Sequence, residues 1–566
     1  MGFLASTLIK TLGRASSKRF EAATLNARAT QDAKLEEIVR TNEGTEYGKE
    51  YAFRAVKSLK DWQTAVPVIT YEDIQERVER ITRGEQNILT AEDPVMFART
   101  SGTTGDAKYV PVTPTCQGRD HKDQMRTWFH HAAKKHPRIF SGKVVSLVSP
   151  AIEGRAPSGV PFGSTSGHIY KNMPGLVRST YLVPYDVFEL EDYEAKYYII
   201  MRLGLGAPVT FVATANPSSI VKMCEMANEN SDQLLKDLHD GTLKTDLELS
   251  PSLRAQIEAR MRPDPATARR LGKARERRAG MLLPADYWPQ LDLIGCWKAG
   301  TVGSYLDKFP GWFDPEGRRP MPVRDWGYLS SEARGSIPLS DDGSGGVLTL
   351  ATNVYEFVEV DDLESDPENR KAWNFLAVDE VEVGKEYYIF FTTTGGLYRY
   401  DINDVVEVVG HYNTAPEIIF RRKGRGMTSI TGEKVSVNQV IAAFEQTAKE
   451  MHVVLDHFKA EADLDRARYV FMVEAAKGIA PDRRQTFLKS LDQKLSGLNL
   501  EYEAKRKSLR LNPPVLHTMR TGWYDAEKKR LIASGKRLFQ AKTVLLATKK
   551  DLNKKDDWLE GVTEFD

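Results

Sequence analysis

Cysteine is scarce: Cys116, Cys224 and Cys296 are the only three in 566 residues, and no two stand at the CxxC spacing of a zinc or dithiol site. Their odd number and scatter exclude a disulfide framework and predict a reducing, cytoplasmic setting. Charge of one sign is missing too, since 79 Lys and Arg face 78 Asp and Glu, so the chain lacks the basic bias of a nucleic-acid or anionic-membrane binder. No apolar run nears the roughly 20 residues that a membrane helix needs. The opening "MGFLASTLIKTLGRASSKRF" is amphipathic and has no signal-peptide core or cleavage site. It predicts a helix packed on the domain, although "MGFLAS" also fits the loose myristoylation pattern at Gly2 and Ser6. Internal repeats and low-complexity tails are lacking as well. What remains is a globular composition, 41% apolar and 28% charged, at a length that calls for two or more domains and points to small-molecule chemistry.

Short β-branched runs, "KVVSLVSP", "GAPVTFVATA" and "LDLIGCWKAG", alternate with helical segments between Lys143 and Gly300 and predict an α/β architecture with a largely parallel sheet. The arginine-rich "SLRAQIEARMRPDPATARRLGKARERRAG" mixes in glutamates and lacks aromatics, so it reads as a solvated helix pair rather than a nucleic-acid patch. From about Gly346 the pattern turns to alternating strands, "GVLTLATNVYEFVEV", "EYYIFFTTTGGLYRYDINDVVEVVGHY" and "EIIFRRKGRG", a hairpin-rich mixed or antiparallel region. Beyond it, helix, strand and helix ("VSVNQVIAAFEQTAKEM", "ARYVFMVEAA", "RRQTFLKSLDQKLSGL") predict a smaller α+β domain. The expected boundary divides residues 1–421 from 422–566.

The chemistry starts at "ARTSGTTGDAKYVPVTP". Consecutive backbone N–H groups in a Gly-rich turn, with Ser and Thr hydroxyls and a lysine, form a cradle for phosphate oxygens. Gly102 to Lys108 reads G-T-T-G-D-A-K, which lacks both the gap and the G-K-[ST] ending of a P-loop NTPase. "WFHHAAKKH" reads as an exposed helix face, and the ten histidines form no visible metal-ligand cluster. "GSTSG" at Gly163 comes near a serine-hydrolase elbow but lies in what reads as a long loop, assigned to the acyl pocket or its lid.

"TSGTTGDAK" resembles the phosphate loop of the adenylate-forming superfamily, with Ala107 where a proline is usual. "DWGYLSSEARGS" resembles its Y-G-x-T-E motif, and "TTTGGLYRYDINDVVEVVG" its nucleotide-ribose motif. "TTTGGLYRYDINDVV", "HYNTAPEIIFRRKGRG" and "SITGEKVS", in that order, are similar to the acyl-acid amido synthetases, the auxin-responsive family of that superfamily. The phosphate loop is one residue shorter than is common in plant members, which suggests a divergent, bacterial-type member and leaves the plant substrates behind.

The resemblance implies an α/β fold, with a large N-terminal adenylation domain of mixed sheets and a small mobile C-terminal α+β domain. It implies a ligase that uses ATP and Mg²⁺ to activate a carboxylic acid as an acyl-adenylate and passes the acyl group to an amino acid or another amine. It further implies a monomer without nucleic-acid or membrane partners. Ser101, Gly102, Thr103, Thr104, Gly105 and Lys108 match the loop that holds the β- and γ-phosphates. Tyr328 would stack on adenine, Ser331 would contact the α-phosphate and Glu332 would bind Mg²⁺, a cation that prefers oxygen ligands. Asp404 matches the ribose-binding aspartate, and Asp401 is its rival, because a turn in "YDIND" can turn either one outward. Arg421 or Arg425 would reach a ribose or phosphate at the hinge, where Gly424, Gly426 and Gly432 allow backbone change and Lys434 serves one state. Lys542, in "ASGKRLFQAKTVLL", would be the mobile-domain lysine that meets the acyl carboxylate and α-phosphate, with Lys536 as rival. Thioester formation with coenzyme A, and an idle adenylate-binding protein, are the alternatives.

Overall fold

The structure, a computed structural model, describes residues 2–101, 107–524, 526, 546–548 and 556–565. The chain separates into two compact units, residues 1–99 with 109–422, and residues 100–108 with 423–566.

The first unit opens on the helix Gly2–Thr24, which packs along the helix Lys122–Lys135. The approach is close at Gly13, where an added Cβ would sit 2.7 Å from the Arg126 carbonyl and 2.8 Å from the His130 Cβ, so only glycine allows it. "WFHHAAKKH" is therefore not the exposed face that its histidines and lysines suggest. The Ser17 hydroxyl lies 3.0 Å from His131 Nε2, and His136 Nε2 lies 2.7 Å from the Asp341 carboxylate. Trp128 is fully buried, and only Lys134 and Lys135 of this stretch are solvent-exposed.

The predicted parallel sheet is present. Lys143–Ser146, Val209–Ala213, Leu293–Gly295 and Val323–Arg324 pair in parallel in that order, and Val209–Ala213 is buried along its whole length. Burial on both faces explains why these strands read as unbroken β-branched runs rather than as alternation. Asn216 caps the helix Pro217–Glu229, accepting from the Ser218 backbone N–H, and so ends the Val209 strand in a tight turn. The arginine-rich segment forms two helices, Pro251–Glu258 and Pro265–Arg277. "GSTSG" differs from expectation: Pro161–Gly163 is a short strand, and Ser164 caps a helix over Thr165–Lys171 by accepting from the Gly167 N–H. A segment rich in Gly and Ser reads as a loop, whereas its serine is a helix cap.

A six-stranded sheet follows, ordered Asn353–Glu359, Glu386–Thr393, Tyr400–Tyr412, Ala415–Lys423, Gly346–Leu348, Ser336–Ile337. Its paired strands for which registers are resolved run antiparallel. A buried fork ties it to the N-terminal helices. Arg399, in the left-handed region at φ 47°, binds both carboxylate oxygens of Glu356 at 2.9 Å and donates to the carbonyls of Gln63 and Val66.

The second unit carries a five-stranded mixed sheet, ordered Leu546–Thr548, Leu455–Asp463, Arg468–Ala475, Val515–Met519, Leu559–Thr563. The helices Val437–Glu450 and Pro481–Leu498 pack on each other in the same unit. Ser436 and Gln439 close a reciprocal capping box at the first of them. No helix among the described residues is long and apolar enough to cross a membrane.

Candidate active site

Two expected site residues of the first unit, Tyr328 and Asp404, meet from sequence-distant segments. "WGYLSSEARGS" leaves the parallel sheet after Arg324 and doubles back before the strand Ser336–Ile337. The turn is closed by the Ser330 N–H on the Ala333 carbonyl at 2.9 Å and by the Gly335 N–H on the Tyr328 carbonyl at 2.7 Å. Gly327, at φ 82°, starts the reversal. At Gly335 an added Cβ would lie 2.4 Å from Tyr328 Cδ1, so the ring folds back across a position that only glycine leaves free. The ring lies nearly parallel to that of Phe420, at 15° with centroids 6.3 Å apart, which gives a flat aromatic wall.

Asp404 comes from the other segment. The strand Tyr400–Tyr412 pairs Asp404 with Ile389 but Asp401 with Phe390, so two residues bulge out between adjacent pairs. Asn403 takes the left-handed conformation at φ 58°, and its N–H donates to Asp401 Oδ1 at 2.8 Å. Asp401 thus makes the turn, and the turn carries Asp404 to Tyr328. Asp404 is 3% exposed, and its Oδ2 accepts from the Tyr328 hydroxyl at 2.7 Å. Burial, then the charge of Asp404 and the bond to it, pushes the Tyr328 phenol well above its usual range, so the hydroxyl stays a donor at neutral pH.

Glu332 is 9% exposed on the same turn. Its charge adds to the upward push on the phenols of Tyr328 and Tyr400. Ser331, beside it, is half-buried. Arg334, two residues on, bridges Leu329 in antiparallel fashion, and its carbonyl accepts from Thr349 Oγ1 at 2.8 Å and Asn353 Nδ2 at 3.2 Å. Arg334 is hard to single out from the chain alone, because an arginine in a polar turn reads as a surface charge. The one available signal was its position just after "SSE".

The other candidates lie on other segments of the chain. Ser101 ends the strand Met96–Ser101, and Lys108 sits half-buried in the strand Ala107–Val112. Gly102, Thr103, Thr104 and Gly105 lie outside the described residues, as do Lys536 and Lys542. Arg421 closes the strand Ala415–Lys423 toward its end, with its guanidinium 2.7 Å from Glu407 Oε2. Arg425 is half-buried in the turn after that strand. In the second unit, Glu433 is fully buried and accepts from the backbone N–H groups of Ile430 and Thr431, the Thr431 hydroxyl and Tyr469 OH at 2.6 to 2.9 Å. This fixes the backbone that presents Lys434, whose carbonyl is held by Asn499 at 2.8 Å.

A parallel β-sheet wrapped by helices, an antiparallel sheet carrying the Asp404 bulge and a separate α+β unit define a mixed α/β protein. Its fold is that of the acyl acid amido synthetase GH3.15 solved in complex with 2,4-DB, with a TM-score of 0.65 at 20% identity over 98% of each chain. The chain belongs to the GH3 family: residues 16–316 match the GH3 family N-terminal domain, 346–423 its central domain and 438–551 its C-terminal domain. It is 24% identical over 546 residues to the jasmonoyl–L-amino acid synthetase JAR6 of Nicotiana attenuata, covering 93% of this chain and 92% of the relative. To the indole-3-acetic acid-amido synthetase GH3.10 of Arabidopsis thaliana it is 25% identical over 439 residues, covering 71% of this chain and 72% of the relative.

Proposed function

We propose that the protein is an ATP-dependent acyl-acid amido synthetase, a ligase that activates a carboxylic acid as its acyl-adenylate and transfers the acyl group to an amino acid or another amine. The observation that carries this reading is the bond from Tyr328 to Asp404 beside Glu332, in a chain of the GH3 family. A tyrosine ring against which adenine can stack, a carboxylate fixed by that tyrosine to accept from ribose hydroxyls, and a second carboxylate on the same turn form a nucleotide site.

In the first step a carboxylate oxygen attacks the α-phosphorus of ATP and pyrophosphate leaves. In the second the amine attacks the acyl carbon and AMP leaves. Negative charge gathers on the phosphorus and on the departing pyrophosphate, so fixed donors and cations lower the barrier. Ser101, Gly102, Thr103, Thr104, Gly105 and Lys108 supply these at the β- and γ-phosphates, and Ser331 at the α-phosphate. The donor chemistry at Glu332 suits Mg²⁺, which takes one or two carboxylates together with substrate phosphates and waters. When bound there, the ion neutralises phosphate charge. Arg421 or Arg425 meets the ribose or a phosphate, and Lys542 approaches the reacting carboxylate and α-phosphate from a C-terminal domain, residues 422–566, that moves against residues 1–421. A single chain acting in the cytoplasm fits the scarce, buried cysteines.

The test is acid-dependent exchange of labelled pyrophosphate into ATP across aryl, indole, fatty and jasmonate-like acids. Exchange with at least one class is expected, and its absence with folded protein would sink the proposal. Mass spectrometry with amino acids and coenzyme A in competition then separates amide from thioester.

A further inference from the structure

Next to Glu332 the structure holds a cation without an anion. Arg334 is half-buried, and no carboxylate among the described residues lies within ion-pair distance of it. Its Nη1 points at the Met125 sulfur, 3.0 Å away, a weak acceptor, while its Nε is enclosed and bonds to nothing. Asp120, on the π-helical turn that precedes the Met125 helix, is already taken by Arg119 Nε at 3.0 Å and the Thr394 hydroxyl at 2.8 Å. Leaving a guanidinium desolvated and unpaired is costly, so the arrangement makes sense if a ligand completes it.

A second orphan stands in the same neighbourhood. Cys116–His121 forms a single π-helical turn, a distortion often found at functional sites, and it runs directly into the helix that carries Met125. The Cys116 thiol lies 3.5 Å from His121 Nε2, and the other ring nitrogen, Nδ1, is buried without a partner. Burial, then the positive charge of Arg334, pushes His121 down to about 3, while burial pushes Cys116 up to about 12. The histidine is therefore neutral and the cysteine a thiol. With the thiol donating to Nε2, Nδ1 carries the proton and is a buried donor without an acceptor.

We propose that Arg334, together with His121 Nδ1–H, binds a ligand carboxylate other than the one being activated. This rests on the amide-synthetase reading above. The reacting carboxylate is a poor match for such a fork: pairing would tie up the oxygen that must attack phosphorus, and the charge vanishes once the adenylate forms. Such a contact would stabilise the ground state more than the transition state. A carboxylate that stays anionic throughout keeps its partner in both steps. Two ligands carry one, a dicarboxylic acid substrate through its second carboxylate and an amino-acid acceptor through its α-carboxylate.

The experiment compares wild type with Arg334→Gln, and with Arg334→Lys in case the first variant folds poorly. For the acceptor, transfer to L-alanine is measured against ethylamine, and to L-phenylalanine against phenethylamine. For the acid, pyrophosphate exchange is measured with isophthalate against benzoate and with glutarate against butyrate. The proposal expects Arg334→Gln to raise KM by about tenfold or more for the carboxylated member of the acceptor pairs or of the acid pairs, and to leave its partner unchanged. Arg334→Lys, which keeps the charge but loses the fork, falls between. Whichever set of pairs responds identifies the ligand. Equal changes in both members of every pair, or no change in any, overturn the proposal. Thermal-shift titration of the nucleotide-free protein with the same pairs reads the contact without catalysis. Absence of exchange in wild type therefore sinks the amide-synthetase reading, while the titration still decides Arg334.

Discussion

Tyr328→Phe isolates the bond on which the proposed nucleotide site turns. The substitution keeps the ring that lies over Gly335 and alongside Phe420, and deletes only the hydroxyl that reaches Asp404 Oδ2 at 2.7 Å. A hydrogen bond to a buried carboxylate contributes about 1.5–3 kcal/mol. If Asp404 accepts from the ribose only while this donor fixes its rotation, most of that energy appears in nucleotide affinity, a loss of about ten- to a hundredfold. The assay is calorimetric binding of ATP and of 2′-deoxy-ATP to both proteins. Wild type should prefer ATP, and the variant should bind ATP more weakly while its loss for the deoxy analogue is smaller, so that the ratio shrinks. Adenine stacking should persist, since the ring is unchanged. ATP affinity within about twofold of wild type and an unaltered ratio would refute the reasoning and return Asp404 to a purely structural role.

Glu332→Gln keeps the shape of the side chain and removes the charge, so pyrophosphate exchange should fall by about a hundredfold, equivalent to roughly 3 kcal/mol, while metal-free nucleotide binding changes little. Lys542→Ala should slow adenylate formation and spare transfer from pre-made acyl-adenylate; loss with Lys536→Ala instead would move the role to that residue. His131, held down to about 4 by burial and then by the charges of His130, Arg324 and Lys134, is neutral in the folded protein but has an unfolded value near 6.5. Its contribution is present above pH 6.5 and is lost as pH falls toward 4, amounting to about 2 kcal/mol by pH 5. The drop in urea midpoint between pH 7 and pH 5 should therefore shrink in His131→Gln, and an identical drop would show that other groups carry it.

Much of this architecture was legible because it is local. β-Branched runs announce strands buried on both faces, as at Val209–Ala213, and the switch to alternation marks the six-stranded sheet. What escaped depends on partners far away in sequence. The face carrying His130 and His131 reads as solvated because nothing nearby reveals that the helix Gly2–Thr24 covers it at Gly13. Asp401 and Asp404 stayed rivals because a period-two reading assumes an unbroken ladder, and the two-residue bulge between their partners leaves no trace in hydropathy. Arg334 escaped because the absence of a counter-charge becomes visible only once every neighbour is placed.

That bulge separates what the sheet needs from what the proposed chemistry needs. Ile389 and Phe390 are adjacent on one strand, so a partner strand without Ile402 and Asn403 could run straight past them with every rung paired and with no left-handed asparagine to accommodate. Selection for heat resistance alone would tolerate, even favour, that deletion, and the product would be a well-folded protein whose Asp404 no longer sits on a bend built by Asp401. Engineering for robustness in this scaffold therefore runs directly against the proposed role of Asp404 at one identifiable dipeptide, and any stabilised variant is best screened for retention of those two residues before anything else.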